Sequence, residues 1–102
     1  MSAGGDDVPG AADPRAHAAL VAAHRARIDA LDDALVALLA ERAAVVADLW
    51  AAKGAHGEPV RDAAREAAVY ARLRTRARAA GLEPDAVEAV FRAIVGARLR
   101  GG

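Results

Sequence analysis

Residues 14–53 read PRAHAALVAAHRARIDALDDALVALLAERAAVVADLWAAK, and this run decides the fold. After Pro14 it contains neither proline nor glycine, and Ala, Leu, Arg, Asp and Glu dominate it, mostly good helix formers. Its apolar residues Ile28, Leu31, Leu35, Leu38, Val45 and Leu49 follow alternating steps of three and four, with Arg42 at the one remaining position. That pattern is a heptad-like seam. Some forty residues at ~1.5 Å each make a rod of about 60 Å. A compact hundred-residue domain has a radius of gyration of only about 13 Å. Such a rod outreaches its own globule and leaves its stripe wet, so the seam calls for a partner helix from a second copy.

Working outward, Asp13 is suited to cap this helix and Pro14 to occupy its first turn. Residues 1–12, rich in Gly, Ala and Asp, read as a disordered N-terminal tail. Gly54 and Gly57-Glu58-Pro59 end the helix near Lys53. A second helix is predicted from near Asp62 to about Ala80, with Gly81 as its stop. Glu83-Pro84-Asp85 opens a third, which carries Val87, Val90, Phe91, Ile94 and Val95 and ends by Gly101-Gly102. Nothing reads as a strand or a repeat. The expectation is an all-α fold: one domain over 13–102, a three-helix protomer with a very long first helix, paired into an intertwined helical homodimer. Trp50, Tyr70 and Phe91 are expected in the core.

Composition narrows the chemistry. The 102 residues carry 14 cationic and 14 acidic side chains, so the net charge is zero and gives no electrostatic case for nucleic acid or an acidic membrane. The absence of cysteine excludes a disulfide framework, a thiolate metal site and a cysteine nucleophile. His17, His24 and His56 are too scattered to form a metal-ligand set and are expected to face solvent. The first thirteen residues lack the positive start and apolar core of a secretory signal, and no stretch is long and charge-free enough to span a bilayer. A cytoplasmic protein is expected.

The charges set into the pattern are the informative ones. Arg42 stands where the seam calls for Leu or Val, and burying a cation alone is expensive. Lys53 follows eleven residues later, about three turns on, and projects from nearly the same side. Arg25 precedes Arg42 by seventeen residues, about 25 Å along the axis, so it could meet the same small ligand only from the other protomer. Asp62 and Glu66 are four apart on the second helix, with Arg65 beside Glu66. Taken singly, each has an ordinary reading. Arg42 suits an interhelical ion pair with Glu41 or Asp48 of a second copy, Lys53 a solvated helix-end cation, Asp62 a cap, and Arg65 and Glu66 surface charges.

Taken together they carry a resemblance. The stretch from Arg25-Ala-Arg-Ile28-Asp-Ala-Leu31-Asp to Glu41-Arg42 resembles the opening helix of the all-helical chorismate mutases. Lys53, Pro59-Val60-Arg61-Asp62 and Arg65-Glu66 look like that family's next segment, and Gly81-Leu82 with Phe91-Arg-Ala-Ile94 like its later one. The spacing holds without gaps from Arg25 to the end. The resemblance implies a domain-entwined dimer with two active sites and a [3,3] rearrangement of chorismate to prephenate, at the entry to phenylalanine and tyrosine synthesis. It implies no cofactor and no metal. By analogy Arg42, and Arg25 from the partner chain, would clamp two carboxylates. Lys53 would donate to the ether oxygen and a carboxylate, Glu66 and Asp62 would hold the ring hydroxyl, and Arg65 would assist at the mouth. Ile28, Leu49, Val69, Val95 and Leu99 would form apolar walls.

The sequence departs from the family pattern at its end. The family usually places Gln or Glu where Gly102 stands, and a small hydroxyl residue where Arg98 stands. Arg98 could take a carboxylate contact or, with Arg100, fold back towards the ether oxygen; the ordinary reading is that both close the third helix as solvated charges. Some short-tailed members of the family with similar endings are activated by DAHP synthase, which makes that enzyme a candidate partner. Two sister activities remain open on the same scaffold, aminodeoxychorismate mutase and isochorismate pyruvate-lyase, although such lyases tend to lack the Asp62 and Glu66 pair. A non-enzymatic dimeric regulatory module is the remaining alternative.

Overall fold

A computed structural model of the chain describes residues 13–59 and 61–97. The expected tail over 1–12 and the candidate residues Arg98 and Leu99 lie outside the described residues. The described chain is all-α, with three helices and no strand: α1 Pro14–Ala55, α2 Ala63–Ala79 and α3 Pro84–Gly96. None of the three is long and apolar enough to cross a membrane.

The helix ends follow local chemistry. Asp13 Oδ1 accepts from the Arg15 amide at 2.9 Å and Pro14 occupies the first turn of α1. At the other end the reading of Gly54 as a stop is corrected, because α1 runs through it to Ala55. The stop is Gly57, at φ 70°, where its amide donates to the Gly54 carbonyl and the Glu58 amide reaches back to the Lys53 carbonyl at 2.9 Å. That pair of bonds is a Schellman cap, which needs a left-handed residue after the helix. Gly81, at φ 75°, repeats the motif after α2, with Leu82 donating to the Ala77 carbonyl at 2.8 Å. Helix α3 stops at Gly96, earlier than expected, and Ala97 is extended at φ −88° and ψ 149°. Glycine costs a helix interior about 1 kcal/mol relative to alanine, which favours an exit there.

The chain divides within α1 into two units, Met1–Leu38 and Leu39–Gly102. In the first, Ile28, Leu31, Leu35 and Leu38 are each about half exposed, at 48 to 59%. The predicted seam is therefore uncovered in the single chain. In the second unit α2 and α3 pack against each other, and among the described residues Leu73 and Ala77 of α2 are the buried core. Trp50 does not join that core, since it is 45% exposed, and Tyr70 and Phe91 are only half-buried.

An ion network ties α2 to α3. Arg74 Nη1 donates to Asp85 Oδ1 at 2.8 Å and to Glu88 Oε1 at 3.1 Å. Arg92 Nε donates to Glu88 Oε2 at 2.9 Å, and its guanidinium carbon lies 4.3 Å from the Tyr70 ring centre. The hydrogen bond from Arg92, then that from Arg74, holds the Glu88 carboxyl below its ordinary range.

The α2–α3 turn offers a direct test. A Cβ built on Gly81 meets nothing within 4 Å, so the cost of Gly81→Ala is backbone strain alone, about 1 to 2 kcal/mol. The urea midpoint should fall with the m-value unchanged.

Candidate functional site

Within the second unit, α1 presents Arg42, Val46, Leu49, Trp50 and Lys53 on one face, at steps of roughly one turn. The stripe of α2 that buries Leu73 and Ala77 continues towards its N-terminus as Tyr70, Val69 and Glu66. These two faces, with Arg65, the Asp62 cap and Val95 of α3, line a cleft of about 190 Å³. Both halves are explained by helical periodicity: the C-terminal part of the α2 stripe finds a partner in α3, and its N-terminal part is left to wall the cleft.

Asp62 anchors the charged end. Its Oδ1 accepts from the Arg65 amide at 3.0 Å, and its carbonyl accepts the Glu66 amide at 3.0 Å. The capping reading of Asp62 therefore holds, and the same side chain borders the cleft. Glu66 Oε1 accepts from Arg61 Nη1 at 2.7 Å. Arg42, Lys53 and Glu66 are half-buried, whereas Asp62 and Arg65 are exposed at the mouth. The lining thus offers three cations and two carboxylates against walls of Val46, Leu49, Trp50, Val69, Tyr70 and Val95.

Of the expected site residues the cleft gathers Arg42, Leu49, Lys53, Asp62, Arg65, Glu66, Val69 and Val95. Arg25 and Ile28 belong to the first unit. There Arg25 borders a shallow surface hollow with His17, Val21 and Asp29. The sequence reading missed Val46, Trp50 and Tyr70 as lining residues, although each lies four residues from a lining neighbour on its own helix. It also missed the ion pair that Arg61 makes. Arg42, Val46, Trp50 and Val95 border a second hollow as well, of about 260 Å³, closed by Arg61, Ile94 and Ala97 among others.

Among the described residues no group of three or more His, Asp or Glu is placed to hold a metal ion. The cleft matches instead a small, multiply anionic molecule with an apolar body. Guanidinium and ammonium groups grip carboxylates, carboxylates accept from hydroxyls, and apolar walls suit an apolar body.

The comparisons with known proteins agree with this chemistry. The T-protein of Enterobacter agglomerans is 39% identical over 71 residues, which cover 70% of this chain and 19% of that relative. The chain therefore spans about a fifth of the length of the relative it matches. No solved structure matches it. The family model described as chorismate mutase type II matches residues 24–100, a span that takes in every charged residue of the cleft, and the chain belongs to that family of isomerases.

Proposed function

We propose that the chain converts chorismate to prephenate. The observation that carries the reading is the cleft itself, in which Arg42, Lys53, Arg65, Asp62 and Glu66 converge from α1 and the start of α2 on an apolar-walled space. The reaction is unimolecular: the ether C–O bond breaks as a new C–C bond forms, with no proton transferred and no covalent intermediate. What catalysis requires is a compact substrate conformer and stabilisation of the negative charge that grows on the ether oxygen. Arg42 grips one carboxylate with its planar fork. Lys53, a mobile point charge on the same helix face, donates to the ether oxygen, where a cation is worth more in the transition state than in the ground state. Asp62 and Glu66 accept from the ring hydroxyl, and Arg65 holds the mouth.

Arg25 enters this scheme through a second copy. The stripe Ile28, Leu31, Leu35 and Leu38 is exposed in the single chain; the same stripe of a partner chain would cover it, each buried Leu or Ile contributing about 1.5 to 3 kcal/mol. An antiparallel twofold pairing along this stripe would bring Arg25 and Ile28 of one chain to the other's cleft.

Prephenate formation from chorismate by the purified chain, resolved by chromatography against the uncatalysed rate, tests the reading. Clear turnover is expected. No turnover, alone or with DAHP synthase added, would sink it, and pyruvate released from isochorismate in place of prephenate would assign the lyase instead. The single tryptophan, Trp50, lines the cleft, so its fluorescence should change as chorismate binds.

A further inference from the structure

Arg61 stands one residue before the Asp62 cap, outside the helix, and reaches over the first turn of α2 to donate to Glu66 Oε1 at 2.7 Å. It also borders the second hollow alongside Arg42 and Trp50. It thus lies where the two hollows adjoin, bound to one of the cleft's two carboxylates. The charge of the lining gives this contact a purpose. Within one chain Arg42, Lys53 and Arg65 face Asp62 and Glu66, so three cations against two acids leave one net positive charge, to which Arg25 of a second copy adds one in the proposed dimer. A bare Glu66 would repel a substrate with two carboxylates. With Arg61 paired to it, Glu66 no longer subtracts from the positive charge around the cleft.

We propose that Arg61 is a positioning residue of the isomerase site, acting through Glu66. The inference rests on the proposed reaction. The Arg61 bond anchors Oε1 of Glu66 and offsets its charge. An ionised carboxylate has about four acceptor positions, so one bond to Arg61 leaves capacity for the ring hydroxyl. The pair is partly solvated, with side chains 62% and 35% exposed, so its effect is moderate and falls on substrate affinity more than on the chemical step.

The test compares the full chain with Arg61→Ala, Arg61→Lys, Glu66→Gln and the double variant Arg61→Ala/Glu66→Gln. Steady-state kinetics and the initial Trp50 fluorescence change on rapid mixing with chorismate, read before turnover consumes it, are the readouts. Arg61→Ala should lower kcat/KM and weaken chorismate binding about fivefold, the upper range for an exposed pair, mostly through KM. Arg61→Lys keeps the charge without the fork and should recover part of the loss. In the Glu66→Gln background, where no carboxylate charge needs offsetting, Arg61→Ala should change little, within about twofold. Unaltered kinetics and binding in Arg61→Ala would overturn the inference, as would an equal loss in both backgrounds. Failure of the proposed reaction shows separately, as an unaltered chain that neither turns over chorismate nor responds to it in fluorescence, and that result would remove this inference too.

Discussion

Arg42→Ala loses turnover, with kcat/KM falling on the order of 10³-fold, while the far-UV circular dichroism stays that of the unaltered chain. Three observations set this expectation. Arg42 occupies a seam position that the heptad pattern assigns to an apolar side chain. It is half-buried, and it borders the cleft and the adjoining hollow. A cation held there is costly to desolvate, and replacing it with a small apolar residue relieves that cost, so the fold should not suffer. Catalysis should suffer heavily. Removing one preorganised donor from a charge-stabilising site costs about 10² to 10³ in rate, and a guanidinium that grips a carboxylate with two bonds stands at the upper end. Arg42→Lys should recover little, because an ammonium keeps the charge and loses the fork. Activity within tenfold of the unaltered chain in Arg42→Ala would remove Arg42 from the site and return it to the role of a seam ion pair.

The same residue shows how far a sequence carries such a site. Arg42 and Lys53 were legible because an amphipathic helix makes a misplaced cation visible and three turns bring the next one to the same side. Asp62, Arg65 and Glu66 were legible from four-residue spacing at a helix start. The termini at Asp13, Gly81 and Pro84 followed from capping chemistry alone. Other features depend on what composition does not encode. Gly54 and Gly57 are equal candidates for a stop until the backbone shows that only Gly57 has positive φ among the two. Trp50 and Tyr70 were read as core because an apolar residue on an inward stripe has the same periodicity whether it meets a helix or an open cleft. Arg61 escaped notice because its partner lies five residues on, across a loop-to-helix junction where the direction of the chain decides who meets whom.

Chains carrying Arg25→Ala and chains carrying Arg42→Ala should each be nearly inactive, and mixing them should restore about a quarter of the unaltered specific activity. The value follows from symmetry. In a twofold dimer each pocket would take Arg42 from one chain and Arg25 from the other. Random exchange makes about half of all dimers mixed, and in a mixed dimer one pocket lacks both arginines while the other keeps both. One intact pocket in two, in half the dimers, gives about a quarter. The observations behind the prediction are the stripe Ile28, Leu31, Leu35 and Leu38, uncovered in the single chain, and Arg25, which belongs to the unit that carries that stripe and lines no part of the cleft. A site completed within one chain predicts no recovery, because each mutant chain would then carry its own defect into every dimer. Subunit exchange is verified first, by mass spectrometry of differently tagged chains, so that absence of recovery counts against the shared pocket. Recovery that vanishes when Leu35→Glu is added to both chains would locate the sharing at the α1 stripe, since like charges facing each other across a seam oppose pairing.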